Sequence, residues 1–173
     1  MTSAADDIAL LPDAGPLITL AYAEALNLLF EPGWRVMIVD MVLHEVSRNH
    51  TPTSEIIAEW ASRGDVQVLP SKTLAAHLAT PQSRTAHLGE QAIQETLNAF
   101  ALANPPQRAV LLFEDHAFAK QGFFVPPECQ KVSTRAYLMF LEQKGWIENA
   151  AAIERQAIQA GRQFSRLRFP PEM

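Results

Sequence analysis

Five carboxylates stand where a strand-and-helix chain would gather its loops: Asp13, Glu45, Glu90, Glu114 and Asp115. Asp13 closes the apolar run "IALLPD" just before Gly15-Pro16. Glu45 lies one turn into the segment after "WRVMIVD", with Met41, Val42, Leu43 and Val46 apolar around it. Glu90 opens "GEQAIQE", and Glu114 and Asp115 end the unbroken apolar run "AVLLF". A carboxylate among residues that should pack inward is costly unless it is paired or bound to a metal. Gathered carboxylates repel one another and would bind protons if nothing compensated. A hard divalent cation, Mg2+ or Mn2+, compensates, because it takes oxygen ligands and keeps several waters. Such an ion acidifies a bound water and steadies the charge that grows on phosphoryl oxygens, which is the chemistry of phosphodiester hydrolysis. Taken singly each acid has a structural use: Asp13 as a turn or cap residue, Glu90 at a helix dipole, Glu45 on an exposed helix face. It is their combination at separate strand-to-helix junctions that points to a site.

The elements that must position these acids alternate along the chain. "IALLPD" reads as a first strand. Gly15-Pro16 opens a helix whose apolar period runs from Leu17 to about Phe30, with Pro32-Gly33 as its stop. "WRVMIVD" lacks alternation and reads as a strand buried on both faces, followed by a helix over 41–49 capped by Asp40. A helix from Thr51-Pro52 to about Ser62 leads to the third strand, "VQVLP". Residues 70–87 read as a loop with one short helix, and "GEQAIQETLNAFALA" as a helix stopped by Asn104-Pro105-Pro106. "RAVLLFED" is the fourth strand, with a short helix expected at 116–121 and a turn at Gly122. A short fifth strand over Gln130 to Val132 leads through the cap Ser133 into a helix from Thr134 to Lys144, with Gly145 just past its end. A last helix covers about 149–163. Strands separated by helices predict an α/β fold with a mainly parallel central sheet and helices on both faces, in a single domain. In such folds ligands bind beyond the carboxyl ends of the strands, where these acids fall. Successive strand side chains point to opposite faces, so only one of Glu114 and Asp115 faces the cluster if the strand runs through both.

The chain has 173 residues, 48% hydrophobic and 19% charged, an ordinary globular composition. No stretch approaches a membrane span, and "MTSAADDIA" lacks the basic start and apolar run of a secretory signal. The single Cys129 excludes an internal disulfide and a cysteine metal cluster. A soluble cytoplasmic protein is expected. The net charge of −5 is unevenly spread. Residues 1–130 carry 7 basic and 15 acidic side chains, whereas residues 131–168 carry 7 basic and 3 acidic ones. A basic end on an acidic body suits contact with a polyanion such as RNA. Within it, Ser133, Thr134 and Arg135 lie at a helix start, where backbone N–H groups favour a phosphate. Arg155 and Arg162, seven residues apart, share a face of the last helix if that helix reaches both, and read as peripheral RNA contacts. His44, His50, His77, His87 and His116 are read as ordinary structural histidines rather than ligands.

These segments, in this order, resemble the PIN-domain ribonucleases, especially the PIN-like toxins of bacterial toxin–antitoxin pairs. "LLPDAGPLITLA" resembles the opening strand, acid and helix of that family, and "VMIVDMVLHEVSRN" its second strand and Glu-bearing helix. "LGEQAIQETLNAFA" resembles the acidic helix start before the fourth strand. "AVLLFEDHAFAKQ" resembles that strand with its terminal acids, and "KVSTRAYLMFLEQKGWI" the closing strand, Ser/Thr turn and helix. The likeness spans about residues 8–163. It implies a three-layer α/β/α sandwich and a Mg2+- or Mn2+-dependent endoribonuclease, with Asp13, Glu45, Glu90 and Asp115 as metal-binding catalytic acids. For the pair ending the fourth strand it favours Asp115, leaving Glu114 as a further candidate ligand. It also implies a protein antitoxin and a homodimer. The third acid is Asp in many relatives and is Glu90 here, and no Gly precedes Ser133-Thr134. The alternative reading is a PIN-fold module that binds RNA or protein without cutting. A phosphoacceptor receiver domain is disfavoured, because no acidic pair follows the first strand and no Lys ends a fifth.

Overall fold

Runs of β-branched and large apolar residues form five strands: β1 (Ile8–Pro12), β2 (Arg35–Val39), β3 (Val66–Leu69), β4 (Arg108–Phe113) and β5 (Cys129–Ser133). In the computed structural model, which describes residues 7–81, 87–114 and 123–163, they make one all-parallel sheet in the order β3-β2-β1-β4-β5. Seven α-helices flank it among the described residues: α1 (Ala14–Tyr22), α2 (Asp40–Ser47), α3 (Ser54–Ala61), α4 (Lys72–Ala79), α5 (Leu88–Leu102), α6 (Thr134–Gln143) and α7 (Ala150–Gln159). The architecture is a three-layer α/β/α sandwich. α1 packs on α3 and α7, and α7 on α6. α4 and α5 pack on each other, and α5 lies over β2. Among the described residues no helix is long and apolar enough to cross a membrane.

The sheet supplies the core. Leu10, Leu11, Ile38, Val39, Leu111, Leu112 and Phe113 are fully buried, so consecutive residues are covered on both faces, as a parallel sheet between helix layers requires. The strand order reverses between β1 and β4. Their register aligns Pro12 with Leu112, and the Asp13 N–H extends the ladder by donating to the Leu112 carbonyl at 2.9 Å. On the other side of β4, Phe113 aligns with Ser133. Asp13, Glu114 and Ser133-Thr134 therefore sit at neighbouring carboxyl ends, beside the point where the connections diverge to opposite faces.

Three expectations are corrected. The first helix does not run to Phe30. It stops at Tyr22, where Glu24 takes φ +54 and the Ala25 N–H reaches back to the Leu20 carbonyl at 2.8 Å. That closes a left-handed cap without a glycine, and a separate 3-10 turn covers Leu26–Phe30. Asp40 does not cap α2 but is its first residue. Its carboxylate accepts from the Ser71 N–H at 2.9 Å and from the Ser71 hydroxyl at 2.5 Å, tying α2 to the start of α4. The last helix ends at Gln159, so Arg162 lies beyond it and shares no helical face with Arg155. The short helix expected at 116–121 and the turn at Gly122 lie outside the described residues.

Candidate active site at the strand ends

Glu114 follows β4 directly and is only 7% exposed. Its Oε2 accepts from the Thr19 hydroxyl at 3.0 Å and from Arg162 Nη2 at 3.1 Å. Arg162 Nε donates to the same Thr19 oxygen at 3.0 Å, which closes a ring of three side chains from β4, α1 and the segment after α7. The other carboxylate oxygen, Oε1, is buried and accepts no hydrogen bond among the described residues. Gly15 makes this approach possible. A Cβ there would lie 3.0 Å from Glu114 Cβ and 3.3 Å from Oε2, tighter than side chains normally tolerate. Asp13, two residues before that glycine, is also buried.

A second neighbourhood forms where α2 meets the start of α5. Glu45 Oε1 accepts the Gly89 N–H at 3.0 Å. A Cβ on Gly89 would come within 2.8 Å of Glu45 Oε2, so this helix position must be glycine for the carboxylate to stay. Burial raises the Glu45 carboxyl above its ordinary range, and the charge of Glu90 adds to that; the Gly89 N–H and Arg48 oppose it. Glu90 lies beside His87, whose Nδ1 is 3.4 Å from its Oε1. His87 itself takes φ +72 to enter α5.

The predicted acids are thus distributed as follows. Asp13 and Glu114 occupy the β1/β4 switch point, while Glu45 and Glu90 share the α2/α5 mouth. Asp115 lies outside the described residues. Among the described residues no three His, Cys, Asp or Glu side chains come together as a group that could hold a metal ion. The available donors are hard carboxylate oxygens, one of them the buried and unpartnered Oε1 of Glu114, and that chemistry suits Mg2+ or Mn2+.

The residues expected at a phosphate are largely turned inward. The Ser133 hydroxyl accepts the Ala136 N–H at 3.1 Å as the cap of α6. Thr134 is fully buried, and its hydroxyl has no hydrogen-bond partner among the described residues. Arg135 Nε donates to Glu154 at 2.7 Å, bridging α6 and α7 with both side chains mostly covered. Arg155 is exposed on α7. Arg162, expected on the periphery, reaches the strand ends instead. His44 and His77 meet edge to face at 5.7 Å. An open apolar cleft of about 720 Å3 lies between the amino ends of β1 and β4 and Phe140 of α6, and shares no residue with the strand-end acids.

Sequence reasoning missed Thr19, Gly15 and Gly89 as parts of the site. The glycines carried a signal: each lies one or two residues from an acid, in "DAG" and "LGE". Thr19 carried none, since its partners are distant in sequence. Compared with protein-family models, with curated proteins and with solved structures, the chain matches none.

Proposed function

We propose that the protein is a metal-dependent endoribonuclease of the PIN type. The observation that supports this reading is a pair of buried carboxylates, Asp13 and Glu114, at the adjoining carboxyl ends of two parallel strands, with the buried Oε1 of Glu114 left without a donor among the described residues. A buried acceptor in that state favours a cation or a donor brought by a ligand. Asp13, Glu45, Glu90 and Asp115 would hold Mg2+ or Mn2+, which when bound supplies an acidified water and stabilises charge on the phosphoryl group. The chain's own contribution is room for two of its carboxylates, Glu114 against Gly15 and Glu45 against Gly89. As a PIN-like toxin it would be cytoplasmic, homodimeric and silenced by an antitoxin protein. Light scattering and co-purification with the product of a neighbouring gene test the last two points.

A second reading is a PIN-fold module that binds RNA or protein without cleaving; the engagement of Glu114 by Thr19 and Arg162, and of Glu45 by the Gly89 N–H, supports it. Cleavage of single-stranded RNA decides between them. Wild-type protein should cut in Mg2+ or Mn2+ and stop in EDTA, and Asp13→Asn should abolish cutting with the fold intact. Activity that persists in EDTA, or in Asp13→Asn, overturns the nuclease proposal.

A further inference from the structure

The ring of Glu114, Thr19 and Arg162 ties the segment after α7 to the end of β4 and to α1. The two N–H groups on the Nε–Nη2 edge of the guanidinium are used, one on Thr19 and one on Glu114. The opposite Nη1–Nη2 edge engages no hydrogen bond among the described residues, and the side chain is 24% exposed. That free edge is a fork that matches two oxygens of a phosphate. It is held by a carboxylate that is itself buried, at the β1/β4 switch point beside Asp13. Holding an arginine in this way removes most of the entropy that a free side chain would lose on binding. The need for such a cation is real. The chain is acidic overall, Arg135 is tied to Glu154, and Arg155 sits on the outer surface of α7.

We propose that Arg162 is the phosphate anchor of the site, and that Glu114 and Thr19 are positioning residues that aim its free edge at an RNA phosphate. This rests on the nuclease reading and refines it. It moves Arg162 from the periphery to the centre, and it gives Glu114 Oε2 the task of holding a guanidinium while Oε1 remains available.

The test is binding of a short, labelled single-stranded RNA to Asp13→Asn protein across salt concentration, alongside metal-dependent cleavage by the wild type. Arg162→Met should weaken binding roughly tenfold at low salt, the loss of a charged hydrogen-bonded contact. It should also reduce the salt slope by about 0.7 log unit per log unit, one phosphate contact. Arg162→Lys should keep the slope but recover only part of the affinity, because it lacks the fork. Thr19→Val should weaken binding with the slope unchanged, since the charge stays but its aim is lost. A purely structural role would lower melting temperatures and leave the slopes alone. If Arg162→Met does not fold, Arg162→Lys and Thr19→Val decide; parental affinity in both overturns the anchor. Parental affinity and slope in Arg162→Met, with the wild type cutting RNA, overturn the anchor and leave the nuclease reading standing. A wild type that neither binds nor cuts RNA overturns both.

Discussion

Gly89 and Glu45 meet at a distance that excludes a methyl group, and this makes their coupling measurable. An added Cβ would sit 2.8 Å from Glu45 Oε2, and the carboxylate is held there by the Gly89 N–H. Gly89→Ala should therefore push the flexible Glu45 carboxylate off the Gly89 N–H, a loss of about 1 kcal/mol that the better helix former largely offsets. In a Glu45→Ala background the clash is gone and the same change should be stabilising. Equal effects in the two backgrounds, by denaturant melts, would refute the contact. Glu45 also carries a pH signature. Burial raises its carboxyl above the ordinary value, so the folded state binds the proton more readily than the unfolded chain. The associated stability is present below the unfolded value of 4.5 and is lost as pH rises through the folded one. In metal-free buffer Glu45→Gln should melt higher than wild type near neutral pH, and the gap should close as pH falls to about 4. A gap that widens on acidification would contradict the assignment. At this scale the sequence placed the acids near the ends of their elements and was mute about what holds them. Thr19 and Glu114 are 95 positions apart, and Arg162 a further 48. Local pattern carries no trace of such pairings.

Elements with strong periodicity were legible, and those ended by tertiary contacts were not. α5 and α6 fall where their apolar spacing and caps place them, and Ser133 and Gly145 bound α6 as expected. The end of α1 could not be read, because a glutamate occupies the left-handed position that glycine usually marks. The extent of the last helix was misread for a related reason. Gly161 sits at φ +114 in the turn after Gln159, where a Cβ would lie 3.9 Å from the Tyr22 ring of α1, and this turn delivers Arg162 to the strand ends. The α6–α7 pair that frames this turn is fastened by Arg135 and Glu154, side chains 13% and 17% exposed. Arg135→Met leaves a mostly covered carboxylate without that partner. It should cost about 2 kcal/mol, less than a fully buried pair would, and lower the melting temperature by roughly 4–8 °C. Adding Glu154→Leu should recover most of that loss. A variant with unchanged melting but weakened RNA binding would place Arg135 in the phosphate path instead.

For the whole molecule, the decisive quantity is how its stability responds to a divalent ion. The chain carries a net charge of −5 and buries two carboxylates, Asp13 and Glu114, at the carboxyl ends of β1 and β4. Asp13 follows β1 and Glu114 follows β4, while Glu45 and Glu90 lie in α2 and α5. An ion that binds this end of the folded protein, and not the unfolded chain, must stabilise the entire fold by mass action. At a concentration one hundred times its dissociation constant that amounts to about 2.7 kcal/mol. For a chain of this length it should raise the melting temperature by roughly 5–10 °C. The rise should appear with Mg2+ or Mn2+ and be absent with KCl at matched ionic strength, since exposed charges far apart are screened alike by both salts. Asp13→Asn should suppress it, because the variant removes a proposed ligand at the switch point. Ser133, which caps α6 but is no proposed ligand, supplies the control: Ser133→Ala should melt lower by about 1 kcal/mol yet keep the full metal response. A wild type whose melting is indifferent to Mg2+ and Mn2+ would remove the metal from the mechanism and favour the binding module. A response that survives Asp13→Asn would instead move the ion away from the β1/β4 end of the sheet, toward the Glu45 and Glu90 pair.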